Sequence, residues 1–406
     1  MKTHERLRDL YGFPGFTPRG VLTGVFGDPQ ARVVPPGPAG KKTACGTCGT
    51  AHRHSYDRHP RQVRDLASGG VRIFLRFEAR RVACRRCGKV KTERLEWLAE
   101  NPHFTRRFAF HVGRLCREMT IKRVAKLLHL TWDQVKDLEK QYMQALLAKA
   151  PAVRPRAIGI DEVSIRKRHT YRIVVSDLEA QRPIWFGGTG RKEADLDQFF
   201  AWLGPAKTAQ LEIAVMDMWK PFRNSTLRNA PQVHTIFDKF HIMRHLGDAL
   251  DAVRKSEYQR LTGEDRAFIK GQKYTLLSAR ANLDLEGRQA LRKLLKANRR
   301  LQMAYLLRES FGQLWSYRRA GNARRFFENW RAQLKWQRLP SYQKFAAMIE
   351  RHWDGIAAYC RPENKVSLGF VEGANNKIQV IQRRAYGLRD EEYLRLKILT
   401  AFLPEF

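Results

Sequence analysis

Long apolar runs are missing from this sequence. No stretch of about 18 consecutive apolar residues occurs, so the sequence predicts no membrane-spanning helix. The opening residues, Met1 to Arg6, are not followed by an apolar stretch either, and we therefore expect no secretory signal peptide. Both absences lead us to expect a protein that stays in the reducing cytoplasm.

Acidic residues are scarce relative to basic ones. The chain has 406 residues, with 40 Asp and Glu against 76 Lys and Arg, and a formal net charge of +36. Charged side chains are rarely buried, so this charge is displayed to solvent, where it attracts polyanions. Basic residues recur in every segment, which favours nucleic acid as the partner over a merely basic surface.

Cysteine is also rare, and four of the six cysteines occur as two closely spaced pairs, each followed by glycine. The pairs are Cys45-x-x-Cys48 and Cys84-x-x-Cys87. Two such pairs in a cytosolic chain predict one tetrahedral, structural Zn²⁺ site, a zinc ribbon. Such ribbons serve either DNA contact or protein assembly, and the sequence leaves both open. Cys116 and Cys360 are expected to be core thiols.

The segment between the cysteine pairs alternates like a β-strand. Within Val71–Phe77, Arg72 and Arg76 share one face with Phe74. Basic side chains beside an aromatic ring suit contact with DNA phosphates, although a solvated outer strand face fits the pattern equally well. Upstream, the proline-rich run Pro35–Pro38 is typical of a linker.

A helix-turn-helix is predicted after the cysteine region. Thr120 is placed to cap a helix over Ile121–His129, and Thr131 to cap a second over Trp132–Leu147. Two helices joined by so short a turn resemble the DNA-binding motif, in which the start of the second helix contacts bases. The residues expected there are Thr131, Trp132, Gln134 and Lys136. A plain helical bundle joining two domains is the alternative.

The next segment is expected to form a mixed sheet. A short apolar strand over Ile158–Ile165 carries Asp161 in its middle, and a buried carboxylate is costly unless paired or bound to a metal. Runs at Thr170–Asp177 and Pro183–Gly188 extend it into an antiparallel meander. Strands and helices then alternate, which predicts parallel pairing, with Asp217 and Asp238 at strand ends.

A long, almost wholly helical stretch follows, to about residue 361, and a helix then opens at residues 367–377. Its apolar face, which includes Val371 and Ala374, can pack on the sheet. Its polar face carries Glu372, with Asn376 behind it. A glutamate near a helix start is ordinarily a dipole or capping residue. Delivered to Asp161 and Asp217, however, it would complete the set of carboxylates that Mg²⁺ prefers.

Several of these motifs resemble insertion-sequence transposases, specifically the ISL-three (ISL3) family of DDE transposases. The resemblance covers nearly the whole chain, including the zinc ribbon and the helix-turn-helix. The motifs that carry it are Gly159-Ile160-Asp161-Glu162, Val215-Met216-Asp217-Met218, Asp238-Lys239-Phe240-His241, Glu372-Gly373-x-Asn375-x-Lys377 and Arg384-Ala385-Tyr386-Gly387-Leu388-Arg389.

The resemblance implies a multidomain α+β and α/β chain with an RNase H-like mixed-sheet catalytic domain interrupted by an all-α insertion. The expected divisions are residues 1–100 with the zinc ribbon, 101–150 with the helix-turn-helix, 151–240 and 363–406 as the two catalytic parts, and 241–362 as the insertion. It also implies that Asp161, Asp217 and Glu372 are the catalytic acids. Asp238 and His241 would support them; an N-cap aspartate with a first-turn histidine is the alternative interpretation.

The expected activity is transposition. The ribbon and helix-turn-helix would bind terminal inverted repeats in double-stranded DNA, and the acids would hold Mg²⁺ (or Mn²⁺) for strand cleavage and strand transfer. Lys377, Arg383 and Arg384 could hold phosphates near the third acid. Both element ends must be joined, so a homodimer or larger assembly on nucleoid DNA is expected. A nuclease of the RNase H-like class without strand transfer, and an inactive DNA-binding regulator, are the alternatives.

Overall fold

The computed structural model describes residues 7–18, 21–40, 42–166, 170–263, 266, 269–278, 280–366, 369–385, 388 and 390–405. The predictions made above for residues 367–368, 386–387 and 389 lie outside these ranges. The chain divides into two compact units, the first formed by Met1–Ala150 with Arg383–Phe406 and the second by Pro151–Gln382. The finer domain divisions stay a prediction. None of the described helices is both long and apolar enough to cross a membrane.

The first unit begins with short strands around one five-stranded sheet. Strands β2, β3, β8 and β7 lie in that order, and β9 pairs with β8. The elements are α1 (Leu7–Tyr11), β1 (Phe16–Pro18), β2 (Thr23–Val25), β3 (Asp28–Val34), β4 (Pro36–Pro38), β5 (Thr43–Ala44), β6 (Ala51–His52), β7 (Asp57–Ser68), β8 (Val71–Cys84) and β9 (Lys89–Thr92). The predicted strand over Val71–Phe77 is therefore the first half of β8.

The linker prediction for Pro35–Pro38 is wrong. Pro36–Pro38 forms strand β4, which pairs antiparallel with β1, and Phe16 lies opposite Pro38. Proline lacks a backbone N–H, but a two-stranded ribbon has an outward edge on each strand, where that donor is not required. Phe16 is buried in the core of this sheet, so the ribbon is packed and not free.

Helices complete the first unit, and they confirm the predicted helix-turn-helix elements closely. They are α2 (Arg106–Glu118), α3 (Ile121–Leu128), α4 (Trp132–Lys149) and, from the C-terminal segment, a helix over Glu391–Thr400. Thr120 and Thr131 cap α3 and α4 through their side chains. Between these helices, His129 adopts a left-handed backbone conformation with φ of 53°, which allows the sharp turn.

The second unit is built on a five-stranded sheet of order β12-β11-β10-β13-β14. Its strands are β10 (Ala157–Arg166), β11 (Thr170–Asp177), β12 (Arg182–Gly187), β13 (Ile213–Met216) and β14 (His234–Phe237). Strands β10, β11 and β12 pair antiparallel, whereas β10, β13 and β14 pair parallel. The predicted meander, followed by parallel pairing, is confirmed.

The described helices of the second unit lie between and after these strands. They are α5 (Glu193–Leu203), α6 (Pro205–Thr208), α7 (Lys220–Asn229), α8 (Lys239–Arg260), α9 (Lys273–Leu277), α10 (Leu285–Ala297), α11 (Arg299–Phe311), α12 (Ala320–Gln333), α13 (Pro340–Arg351), α14 (Trp353–Ala358) and α15 (Gly369–Arg384); the C-terminal helix Glu391–Thr400 of the first unit is α16. Residues 241–362 contain no strand among the described positions, as an all-α insertion requires.

The two faces of the sheet pack against different elements because side chains alternate along a strand. Ile158 and Ile160 of β10 join a large core with helices α5, α7 and α8. Ala157 belongs instead to a smaller core that includes Ile213, Val215, Ile236 and Val371 of α15. The odd-numbered residues of β10 and β13 therefore face α15.

Candidate active site and cysteine cluster

Three aspartates lie side by side where the parallel pairing of β10, β13 and β14 ends. Ile160 pairs with Met216, and Met216 pairs with Phe237, so the residues that follow each of them are again in register. Those residues are Asp161, Asp217 and Asp238. The backbone N–H of Asp238 donates to the carbonyl of Met216 at 2.8 Å, which holds the row together. Each aspartate continues the series of side chains that faces α15.

Helix α15 brings Glu372 to the same face of the sheet. Val371 is buried in the core beside β10 and β13, and an ideal Cβ at Gly159 would lie only 2.5 Å from its Cγ2 atom. Glycine therefore lets the helix approach the strand that carries Asp161. Glu372 follows Val371 in the first turn of α15 and is half-buried.

Asn375 joins this helix directly to the strand. Its Nδ2 atom donates to Oδ2 of Asp161 at 2.5 Å. Residues three apart on a helix share a face, so Glu372 lies on the Asp161 side of α15 as well. The sequence analysis placed Asn376 behind Glu372, but Asn376 is exposed. The sequence did contain a signal for Asn375. It lies four positions after Val371, and residues four apart on a helix face the same side, so both lie next to the same strand.

Burial changes the acidity of Asp161. Its side chain is 7% exposed, and burial raises its pKa to about 6, against the opposing charge of His241. Its Oδ1 atom accepts a hydrogen bond from the backbone N–H of Glu162 at 2.8 Å. Asp217 is held in the same way, by the N–H of Met218 at 2.6 Å. Each carboxylate is thus oriented by the chain that follows it.

Asp238 and His241 form the predicted N-cap arrangement and also belong to the acidic row. Asp238 caps α8 by accepting from the N–H of Phe240 at 2.9 Å, and its Oδ2 atom lies 3.2 Å from Nδ1 of His241. Burial would lower the pKa of His241, but the Asp238 hydrogen bond and the charges of Asp217 and Asp161 raise it above its ordinary value. His241 therefore lies within electrostatic reach of all three aspartates.

The carboxylates do not converge as tightly as a filled metal site requires. Among groups of three or more His, Cys, Asp and Glu side chains in the described ranges, only the four cysteines have ligand atoms all within 4.8 Å of one another.

An arginine that the sequence analysis did not single out contacts chain neighbours of two of the acids. The guanidinium of Arg191 lies 4.7 Å from the ring centroids of both Tyr171 and Trp219. Its Nη1 atom donates to Oε1 of Glu162 at 3.2 Å. Glu162 adjoins Asp161, and Trp219 is two residues beyond Asp217. Because side chains alternate along β10, Glu162 points to the face opposite Asp161, so Arg191 is held on the other face of the sheet from the three aspartates.

The cysteine pairs form one cluster in the first unit. The sulfur atoms of Cys48 and Cys84 lie 3.5 Å apart, and those of Cys45 and Cys87 lie 4.0 Å apart. Four thiolates bound to a tetrahedral zinc at about 2.3 Å would have sulfurs about 3.8 Å apart, so the spacing fits that ion.

Matching turns build the two halves of this cluster. Gly49 and Gly88 have φ of 71° and 66°, and their N–H groups donate to the carbonyls of Cys45 and Cys84, each at 2.9 Å. Hydrogen bonds from Thr50 lower the pKa of Cys48 to about 6. The thiol of Cys87 is affected oppositely, with its pKa raised by its neighbouring cysteines. Four crowded thiols cannot all ionise without a cation among them.

Arg72 and Arg76 lie on one face of β8, but they differ in their surroundings. Arg72 is half-buried, and its Nη2 atom lies 2.5 Å from a carboxylate oxygen of Asp28. Arg76 is exposed and donates to Oε1 of Gln62 at 3.0 Å. Arg76 is the more available of the two for a phosphate.

The helix-turn-helix residues that were predicted to contact DNA make different local contacts. Thr131 and Gln134 form a reciprocal capping box at the start of α4. Trp132 is 48% exposed. Lys136 lies 2.9 Å from Oδ2 of Asp390 and 5.4 Å from the Trp132 ring centroid. Trp132 is therefore the residue of this group that is most freely presented to a partner.

The basic residues of α15 that were predicted to bind phosphates also differ in their surroundings. Lys377 and Arg383 are exposed. Arg384 instead donates to the carbonyls at the end of α2, including those of Cys116 at 3.0 Å and Glu118 at 3.1 Å. These carbonyls lack partners within their own helix, so the guanidinium of Arg384 caps α2. It is engaged there and is not presented as a phosphate ligand.

Three family models match this chain in an order that parallels its organisation. Residues 41–87 match a zinc finger of the transposases of IS204, IS1001, IS1096 and IS1165. Residues 93–143 match the helix-turn-helix domain of transposase family ISL3. Residues 158–398 match the DDE transposase of the same family.

Curated relatives agree with the family models. The transposase for insertion sequence element IS1001 of Bordetella parapertussis is 32% identical over 368 residues, covering 90% of this chain and 90% of that protein. The transposase for insertion sequence element IS1557 of Mycobacterium tuberculosis is 28% identical over 383 residues, covering 86% of this chain and 83% of that protein. The chain therefore belongs to the ISL3 family of DDE transposases, enzymes of insertion sequences that bind DNA through a helix-turn-helix.

Proposed function

We propose that Asp161, Asp217 and Glu372 are the catalytic acids of this transposase. The observation that carries the proposal is the junction of two distant chain segments. The register of β10 and β13 sets the two aspartates side by side, and the close packing of α15 on Gly159 supports the proposal that Glu372 faces the same side of the sheet. The direct contact of Asn375, on the same helix as Glu372, with Asp161 supports one shared site for Asp161 and Glu372, which lie 211 positions apart in the chain.

The residues present fit a hard divalent cation, Mg²⁺ or Mn²⁺. Buried Asp161 is disfavoured as an anion unless a positive charge is near, and burial raises its pKa to about 6. The Oδ1 atom of Asn375 is buried and has no hydrogen-bond partner among the described residues. Carboxylate and amide oxygens are the donors that such cations prefer.

Bound divalent cations would activate the attacking hydroxyl group and stabilise the leaving oxygen of a phosphodiester. The chain's own residues would do the rest. Asp161, Asp217 and Glu372 would hold the charge in place, and Asp238 with His241 would support the row from α8. Lys377 and Arg383, both exposed on α15, would bind phosphates beside the third acid. Catalysis then rests on positioning and on neutralised charge, without a covalent protein intermediate.

The first unit would recognise the element ends. Trp132 at the start of α4, together with Gln134 and Lys136, would lie against the bases of the terminal inverted repeats, and Thr131 would hold the start of that helix. Arg76, and Arg72 when released from Asp28, would contact phosphates. Cys45, Cys48, Cys84 and Cys87 would bind one structural Zn²⁺ that fixes the ribbon. The protein would act as a homodimer or larger assembly on nucleoid DNA in the cytoplasm.

The test uses the purified protein with labelled double-stranded DNA that carries the ends flanking its gene. With Mg²⁺, we expect nicking at the element end followed by joining of the freed 3′ end to target DNA, and with EDTA we expect neither. Cleavage without joining would indicate the nuclease alternative. Tight, specific binding without cleavage under any metal would indicate the regulator alternative and would leave the acids with a structural role.

A further inference from the structure

We infer that Asn375 is a positioning residue for the metal-binding acids, fixing the carboxylate of Asp161 to the helix that carries Glu372. The inference rests on the proposed function, since it gives Asn375 a task at the same acids. The neutral side chain of Asn375 would hold Asp161, on a strand, in position relative to Glu372, on a helix. Glu372 lies 211 positions after Asp161 in the chain (161 against 372).

A hydrogen bond joins the side chains of Asn375 and Asp161. Nδ2 of Asn375 lies 2.5 Å from Oδ2 of Asp161, while Oδ1 of Asp161 accepts from the N–H of Glu162 at 2.8 Å. Among the described residues, each carboxylate oxygen of Asp161 therefore has one hydrogen-bond donor, and these two bonds fix the rotation of the side chain. A carboxylate oxygen can accept more than one hydrogen bond or ligand, so each keeps a free lone pair for a cation.

The hydrogen bond to Asp161 also determines the orientation of the Asn375 amide. An ionised carboxylate offers only acceptors, so the NH₂ group of Asn375 must face Asp161 and its carbonyl oxygen must face away. That oxygen, Oδ1, is buried and has no hydrogen-bond partner among the described residues. A buried amide oxygen without a partner is costly, and a hydrated divalent cation beside it would satisfy it.

The packing of α15 on β10 holds Asn375 and Glu372 in fixed positions. Asn375 lies four residues after Val371, and the Val371 side chain is 5% exposed against Gly159. The contact sets the height of α15 over β10, two residues before Asp161. Glu372 lies on the same helix, three residues before Asn375. A shift of α15 would therefore break the Asn375 hydrogen bond and move Glu372 at the same time.

Asn376 provides a matched control. It is the same amide on the same helix, one position on, and it is exposed. Substitution by alanine favours a helix at both positions, so Asn375→Ala and Asn376→Ala should leave the backbone of α15 intact. Any difference between the two variants then reports the side-chain contact with Asp161 and not the composition of the helix.

The experiment measures Mn²⁺ binding to the zinc-loaded, full-length protein by electron paramagnetic resonance of free Mn²⁺, without DNA. Wild-type protein and four variants are compared: Asn375→Ala, Asn375→Leu, Asn376→Ala and Asp161→Asn. Partners that orient a ligand typically change metal affinity about 10–100-fold when removed. We expect Asn375→Ala to weaken the site by that factor and Asn376→Ala to leave it unchanged. Cleavage by Asn375→Ala should recover at raised Mn²⁺, which a purely structural defect would not permit.

The outcomes separate the inference from the function on which it rests. Wild-type affinity in Asn375→Ala, with loss of the site in Asp161→Asn, would overturn the role of Asn375 alone. Wild-type affinity in Asp161→Asn as well would overturn the proposed metal site. If Asn375→Ala unfolds, Asn375→Leu keeps the side-chain volume without the donor, and the same 10–100-fold weakening is expected of it.

Discussion

Val371 occupies the space that a side chain at Gly159 would need. A Cβ atom at Gly159 would lie 2.5 Å from Cγ2 of Val371 and 3.0 Å from Cδ2 of Leu178. Val371 immediately precedes Glu372, so the bare backbone of β10 determines how closely the third acid approaches the first. The glycine of the Gly-Ile-Asp-Glu motif thus has a packing reason that is separate from chemistry.

Gly159→Ala should therefore displace α15. We expect a loss of about 1–3 kcal/mol in the free energy of unfolding from overpacking, together with loss of metal-dependent cleavage. Chemical denaturation and a cleavage assay measure the two effects. Gly373→Ala is the stability control, because nothing lies within 4 Å of a Cβ there, and it should stabilise the helix by up to about 1 kcal/mol. Normal cleavage by Gly159→Ala would show that the approach of the helix is unimportant.

Replacing one clustered cysteine should remove the zinc. Elemental analysis of the wild-type protein should find one Zn²⁺ per chain, and Cys84→Ser should lose it together with DNA binding, because a structural zinc site contributes folding energy directly. Cys360→Ala removes a buried thiol that lies outside the cluster, and it should keep the metal. Full zinc content in Cys84→Ser would contradict the four-cysteine site.

Trp132→Ala should weaken binding to element-end DNA without destabilising the fold. Trp132 is 48% exposed at the start of α4, so it contributes little to the core, and a lost base contact typically costs about 1–3 kcal/mol of binding free energy. Trp202→Ala is a control of similar exposure, 50%, in the other unit. Fluorescence anisotropy with specific and scrambled DNA makes the comparison. Equal affinities for Trp132→Ala and wild type would show that Trp132 does not contact the element end.

Glu257 should make the insertion sensitive to acid. Burial by itself would raise its pKa, but hydrogen bonds from Asn298 and Arg260 and the charge of Arg300 hold it below its ordinary value. A carboxyl whose pKa is lowered in the folded state stabilises the fold above the unfolded pKa of about 4.3, and this contribution is lost as pH falls through the folded pKa.

The corresponding variant is Glu257→Gln. At pH 7 it should lose about 1–3 kcal/mol in free energy of unfolding, and this difference should shrink progressively below about pH 4. Denaturant titrations across that range provide the measurement. Glu328→Gln removes an exposed partner of Arg324 and should change stability by less than about 1 kcal/mol at either pH. A loss for Glu257→Gln that grows on acidification would have the wrong sign.

Much of the second unit could be predicted because its signals are local. The apolar runs around Asp161 and the alternation of strands with helices imply the mixed sheet, and the structure confirms strand β11 over Thr170–Asp177 to the residue. The capping threonines likewise predicted the starts of α3 and α4. Such signals depend on backbone hydrogen bonds a few residues away, which a sequence displays directly.

Contacts between distant segments could not be predicted in the same way. That Asn375, and not Asn376, reaches Asp161 depends on how α15 is rotated over the sheet, which Val371 and Gly159 decide together. The engagement of Arg384 with the end of α2 is equally non-local, since 266 residues separate it from Glu118. The pairing of Pro36–Pro38 with β1 was missed because prolines usually mark turns and loops.

The most direct test of the central claim compares two candidate catalytic acids with an acid at the other end of strand β13. Asp217→Asn and Glu372→Gln should bind end DNA as tightly as the wild type and show no cleavage with Mg²⁺. Glu212 lies before β13, at the opposite end from Asp217, and forms an exposed pair with Arg156 at 2.8 Å, so Glu212→Gln should cleave normally. If Asp217→Asn or Glu372→Gln still cuts the labelled strand, the assignment of the catalytic acids is contradicted.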